Sequence, residues 1–178
     1  IERIGELVKI ENKLEKVKKN IPKNILLKAK HNGFSDSHIS HLTGKKEETI
    51  RNQRKRMNIT SSFLMVDTCA GEFEAKTPYF YSTYADQKSE YKIENSIVIL
   101  GSGPIRIGQG IEFDYSTVHG VQAVRKAGYE AVVVNNNPET VSTDFDASDR
   151  LYFEPLDAES IFEILDVEKP YGIILQLG

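Results

Sequence analysis

Ser96 to Leu100 reads SIVIL, and the residues that follow, Gly101 to Gly110, read GSGPIRIGQG. An aliphatic run with no polar alternation fits a strand buried on both faces, and such strands belong to parallel sheets covered by helices. The same kind of run returns as AVVVN near residue 131, in shorter form as RLYFEP from Arg150, and as YGIILQL from Tyr171. Between the first two runs, Val118, Val121, Val124 and Ala127 fall on one face of a helix that should stop near Gly128. Before the last run, Asp157 can cap a helix carrying Ile161, Phe162, Ile164, Leu165 and Val167, with Pro170 behind it. Strand, helix, strand, strand, helix, strand implies a parallel sheet with right-handed crossovers, a Rossmann-like layout. Ligands of such sheets gather at the carboxyl ends of the strands.

The glycine-rich stretch lies at that edge, so two phosphate-binding patterns deserve a test. In the dinucleotide pattern G-x-G-x-x-G, Gly101 and Gly103 fit, but Arg106 stands where the third glycine would let helix and strand approach. The second strand should end in an acidic residue for a ribose hydroxyl, and it ends in Asn135-Asn136-Asn137. In the P-loop pattern, Gly103 and Gly108 have the right spacing, but Gln109 and Gly110 replace the lysine and the hydroxyl residue. The loop thus lacks a cation for outer phosphates and a magnesium ligand. What it offers is flexible backbone, Arg106, Glu112 and Asp114. On these residues alone it is either a tight strand-to-helix turn or a loop facing a small ligand. A second polar segment, NNNPETVSTDFDASDR, follows the second strand to the same edge, where Glu139 can share a crevice with Glu112. His119 stands alone and the Asp residues lack an EF-hand pattern, so no metal site is expected. No Ser-His-Asp or Cys-His arrangement is legible, and no catalytic residue is assigned.

The first third of the chain has another rhythm. Ile4, Leu7, Val8, Leu14, Val17 and Ile21 recur at helical spacing up to Pro22. Ile25, Leu26 and Ala29 begin a helix that Gly33 can end, Ser35 or Asp36 can cap a third with Ile39 and Leu42, and Lys45 to Met57 reads as a fourth. Residues 1–60 carry 15 Lys and Arg against 7 Asp and Glu, a net of +8, while the remainder nets −11. The fold class expected is therefore an all-α part followed by an α/β Rossmann-like sheet domain. The spans are 1–84 for the helical part, 85–95 for a linker and 96–178 for the sheet. The segment from Met65 to Asn95 reads as an ordered connection, because Phe73, Tyr79, Phe80, Tyr81 and Tyr84 need burial.

No apolar run approaches the roughly 20 residues of a membrane span, and no signal peptide is visible. The single cysteine, Cys69, reads as a small buried residue and fits a reducing, cytoplasmic setting. The chain opens on isoleucine inside a helical pattern and closes in a strand-like run, as expected of a part of something larger. A different function is conceivable for residues 34–57. Helix, Thr43-Gly44 turn and a helix with Arg51, Arg54, Lys55 and Arg56 have the rhythm of a DNA-binding helix-turn-helix. A solvated basic face of a small helical bundle is the commoner meaning. An autonomous nucleotide-binding protein is a third reading.

The run GSGPIRIGQGIEFDYSTVHGVQAVRKAGYEAVVVNNNPETVSTDFDASDRLYFEP resembles the large subunit of carbamoyl phosphate synthetase, as do VDTCAGEFEAKTPYFYSTY and the pattern of the helical part. The resemblance covers essentially the whole chain. It implies the later part of a helical oligomerisation domain joined to the pre-ATP-grasp domain of the second, carbamate-phosphorylating half. The family makes carbamoyl phosphate from bicarbonate, glutamine-derived ammonia and two ATP with magnesium or manganese, for pyrimidine or arginine biosynthesis. ATP and metal would be held by ATP-grasp domains outside this sequence, so the chain by itself is expected to bind no cofactor and to be an inactive part of a carbon–nitrogen ligase. The glycine-rich loop would border the internal tunnel for carbamate, with Arg106, Gly110, Glu112 and Glu139 in its wall and Gly101, Gly103 and Gly108 shaping the turn. Implied partners are the rest of the large subunit, the small glutaminase subunit and further copies through the helical domain, with neither nucleic acid nor membrane.

Overall fold

The computed structural model describes residues 1–17, 19–72, 77–85, 95–104, 107–108 and 110–175. The chain divides into two compact units, the first built on Ile1–Ser62.

In the first unit, four helices surround one apolar cluster: α1 (Glu2–Glu15), α2 (Lys23–His31), α3 (Asp36–Thr43) and α4 (Glu47–Arg56). Leu14, Ile21, Leu26, Ala29, Ile39 and Ile50 are fully buried in it. The expected stripe on α1 holds only in part. Leu7, Ile10 and Leu14 pack on the cluster, whereas Ile4 and Val8 face outward. The Ser35 hydroxyl caps α3 by accepting the His38 N–H at 3.0 Å. Helix α2 ends with Gly33 at φ +82, its N–H on the Lys30 carbonyl and the Phe34 N–H on that of Ala29. That arrangement satisfies two terminal carbonyls and drops Phe34 into the core. Helix α4 ends the same way, with Asn58 at φ +55 and Ile59 buried behind it.

A charged cluster is sealed inside this unit. Asp36 accepts from Arg54 Nη2 at 2.9 Å and Nε at 3.1 Å, and from Lys30 Nζ at 3.2 Å. Arg54 and Asp36 are fully buried. The cations also donate to the carbonyls of Ile59 and Phe34, and the Tyr84 ring lies 5.0 Å from Lys30 Nζ and 5.5 Å from the Arg54 guanidinium carbon. Arg54, one of the four basic residues of the DNA-reading helix considered above, is therefore turned inward.

The second unit contains a six-stranded sheet in the order β1-β2-β5-β4-β3-β6. Its elements are β1 (Ser62–Met65), β2 (Tyr79–Thr83), β3 (Ser96–Leu100), α5 (Glu112–Lys126), β4 (Glu130–Val134), a 3-10 turn (Val141–Thr143), β5 (Arg150–Tyr152), α6 (Ala158–Glu168) and β6 (Gly172–Leu175). β2 with β5, β5 with β4, β4 with β3 and β3 with β6 all pair parallel. Alternation along the strands divides the core. Val98, Val132 and Val134 pack with Phe63, Phe80 and Ile164 of α6, while Ile99, Ala131 and Val133 pack with Val121 and Val124 of α5. Asp157 caps α6 as expected, its carboxylate accepting the Ser160 N–H at 2.8 Å. Among the buried polar groups, Arg150 meets Glu168 at 2.5 Å and the Tyr152 hydroxyl at 3.1 Å, tying β5 to the end of α6. Burial and the Glu168 carboxylate push the Tyr152 hydroxyl upward.

Within the segment read as a connection, Tyr79–Thr83 is a strand of the sheet, and Phe73 lies outside the described residues. Phe63–Ser82 groups with the second unit, whereas the span expected from the sequence, 1–84, places it with the helices. The cause is pairing at a distance: Tyr79 registers with Leu151 and Phe80 with Tyr152, which buries Phe63 and Phe80. Tyr84 packs on the helical cluster instead. Of the linker 85–95, residues 86–94 lie outside the described residues.

Candidate functional site at the carboxyl edge of the sheet

Strands β3 and β4 end side by side, with Leu100 opposite Val134. The glycine-rich loop leaves the first and the asparagine run leaves the second. Gly101 continues the ladder by donating to the Val134 carbonyl at 2.8 Å. Here the chain approaches Asn135 closely: a Cβ on Gly101 would lie 2.7 Å from Asn135 Cγ and 3.0 Å from its Cβ. Those atoms lie near the backbone and cannot swing aside, so the position requires glycine.

Asn135 is fully buried and organises both loops. Its amide oxygen accepts the Gly103 N–H at 3.1 Å and the Asn136 N–H at 2.9 Å. Its amide nitrogen donates to Ser142 Oγ at 3.2 Å. The Ser142 hydroxyl is 2.5 Å from Asp114 Oδ1, and its N–H donates to Asp114 Oδ2 at 2.9 Å. Asp114 sits in the first turn of α5, where the helix dipole favours a carboxylate. Thr140 and Thr143 close the second loop. The Thr143 hydroxyl reaches the Thr140 carbonyl at 2.8 Å, and the Thr140 hydroxyl reaches the Asn137 carbonyl at 3.1 Å. Tyr79 of β2 joins through its hydroxyl, 3.2 Å from the Thr143 carbonyl; burial, then Asp144 and Asp146, push that phenol upward.

The residues assigned from the sequence fall into three groups. Gly101 and Gly103 are buried within this network, and Gly103 has φ +70. Gly108 is exposed at φ +83. Gly110 and Glu112 meet: a Cβ on Gly110 would lie 2.0 Å from Glu112 Oε2, so the bare backbone of Gly110 is the seat of that carboxylate. Glu139 is exposed, its N–H donating to Asn137 Oδ1 at 3.1 Å in an Asx turn. Arg106 lies outside the described residues. Sequence reading missed the part played by Asn135, Ser142 and Asp114. The available signal was the asparagine standing where a ribose-binding acid belongs, opposite a glycine.

The Gly103 amide, which a phosphate would need, is taken by Asn135, and the position that could accept from a ribose is turned into the protein. Around the loop, Ile107 is fully exposed, and Ile111 and Tyr115 are exposed by 61% and 49%. Beside the edge, Glu154 follows β5 and is buried, accepting the Ser82 N–H at 2.5 Å; burial raises its carboxyl above the ordinary range, against the effect of the Ser82 bonds. No described helix is long and apolar enough to cross a membrane.

Comparison with known families agrees with both units. Residues 1–58 match the family model described as the carbamoyl-phosphate synthetase large chain oligomerisation domain. Residues 93–178 match the one described as the carbamoyl phosphate synthase preATP-grasp domain.

Proposed function

From the premise that this chain belongs to the carbamoyl phosphate synthetase large-chain family, we propose that its second unit is a wall of the passage that brings carbamate to the second active site of a complete ligase. The complete enzyme would make carbamoyl phosphate from bicarbonate, glutamine-derived ammonia and two ATP. ATP and its magnesium or manganese would be held by ATP-grasp domains, and this chain alone would be inactive. The observation that carries the reading is the inward turn of Asn135 onto the Gly103 amide. A glycine-rich loop so occupied is a shaped surface and not a nucleotide grip.

Carbamate is a small, labile anion. A passage for it needs a surface without bulky side chains, some positive charge to draw the anion in, and exclusion of bulk water. Gly110 adds no side chain to the wall and leaves room for the Glu112 carboxylate, Arg106 would supply the charge, and Glu112 and Glu139 would keep the anion from being held. The exposed Ile107, Ile111 and Tyr115 suit a face covered by another part of the enzyme. The remaining partners would be the glutaminase subunit and, through the helical unit, further copies, in the cytoplasm.

Gly110→Phe in the complete enzyme tests the reading. ATP consumed per carbamoyl phosphate should rise, because the intermediate is lost before its second phosphorylation. An unchanged ratio would remove Gly110 from the passage.

A further inference from the structure

We infer that Asp114 is a positioning residue that sets the shape of the glycine-rich turn through a directional relay, Asp114 to Ser142 to Asn135 to Gly103. It rests on the passage reading above only for its consequence in the complete enzyme.

The relay follows from donor and acceptor types. An ionised carboxylate only accepts. At 2.5 Å from Asp114 Oδ1, the Ser142 hydroxyl must therefore spend its one proton on Asp114. Its lone pairs are then what it presents to Asn135, 3.2 Å away, so Asn135 must turn its NH2 end toward Ser142. The amide oxygen is thereby fixed toward the N–H groups of Gly103 and Asn136. The charge in the first turn of α5 thus reinforces from the far side the amide orientation that the Gly103 and Asn136 N–H groups require. With the amide reversed, its NH2 would meet the Gly103 N–H, two donors with no acceptor in a buried site, which is a costly arrangement. Thr140 Oγ1, 3.5 Å from Ser142 Oγ, is too distant to take over the role of Asp114. Asp114 and Ser142 are fully buried, so water cannot substitute readily.

Two substitutions cut the relay while sparing the anchor. Ser142→Ala removes the hydroxyl but keeps the Ser142 N–H on Asp114. Asp114→Asn keeps an acceptor for that N–H but no longer forces the hydroxyl to donate. Amide hydrogen exchange in this chain reads the result directly. Protection at Gly103 should fall about tenfold in both variants, the loss of one buried hydrogen bond. Protection at Ile99, in the middle of β3, should stay unchanged, which a general loss of stability would not allow. Equal protection at Gly103 in the parent and both variants would overturn the relay. In the complete enzyme both variants should raise ATP consumed per carbamoyl phosphate about two- to tenfold, while ATP formation from ADP and carbamoyl phosphate at the second site stays unchanged. Gly110→Phe separates the two claims. If it uncouples and the relay variants do not, Asp114 does not position the passage; if it does not uncouple, the passage reading itself fails and takes this consequence with it.

Discussion

Each unit buries an aspartate in the first turn of a helix, and the two are satisfied in opposite ways. Asp36 in the helical unit meets two cations, and the cluster carries Arg54 and Lys30 on to backbone carbonyls. Asp114 in the sheet unit, among the described residues, meets only the hydroxyl and amide of Ser142. An ion-paired cluster locks helices together and leaves nothing over. A carboxylate facing neutral donors has its direction passed on, because each neutral group in turn must choose which end to present. The first arrangement holds a fold, and the second shapes a surface. The basic helix α4 thus spends Arg54 inside its own unit, paired with Asp36.

The sharpest way to break this comparison is to remove Asp36. Asp36→Ala leaves two buried cations without their anion and should cost about 3–5 kcal/mol, read as a lower denaturant midpoint for the helical signal. A loss below about 1 kcal/mol would mean that the cluster is not what holds the helices. Asp114→Ala should cost less, about 1.5–3 kcal/mol, the worth of hydrogen bonds to a charged group. Its opening should be confined to amides of residues 101–104 and 135–143.

Gly101→Ala comes next. Its Cβ would press on Asn135 at 2.7 Å, and overpacking of this kind costs about 1–3 kcal/mol. Asn135→Ala in the same chain should recover part of that loss in a double-mutant cycle, and strict additivity of the two would refute the contact.

The smallest effect concerns Glu154. Because burial raises its carboxyl, the folded chain keeps this proton to higher pH than the unfolded chain does. Stability on this account is full below the ordinary carboxylate range near pH ~4.3 and falls as pH rises through the raised value. Glu154→Gln should therefore melt higher than the parent at about pH 7 and equal to it at about pH 4. The opposite order would contradict the burial.

Much of this was legible in the residues. Continuous aliphatic runs such as SIVIL and AVVVN mark buried strands because neither face needs polar groups, and the caps at Ser35 and Asp157 and the stop at Gly33 are local chemistry. The strands β1 and β2 were not legible. SFLM and YFYST are short and mixed, and their burial depends on Leu151 and Tyr152, more than 70 residues away in sequence. The same holds for the site. The absence of a P-loop lysine could be read off, but the role of Asn135 depends on the register that sets Leu100 against Val134. Arg54 shows the converse: four basic residues in one helix look alike in sequence, and only the fold reveals the one paired inside with Asp36.

The central claim is that the glycine-rich turn is shaped from within by Asn135 and does not hold a nucleotide. Titration of ATP with magnesium, and separately of NAD, into this chain while amide resonances are followed tests it most directly. The account predicts that the amides of Gly101, Gly103 and Gly108 stay in place through millimolar nucleotide. Saturable shifts at Gly103, abolished by Gly101→Ala, would show that the turn opens to a phosphate and would contradict it.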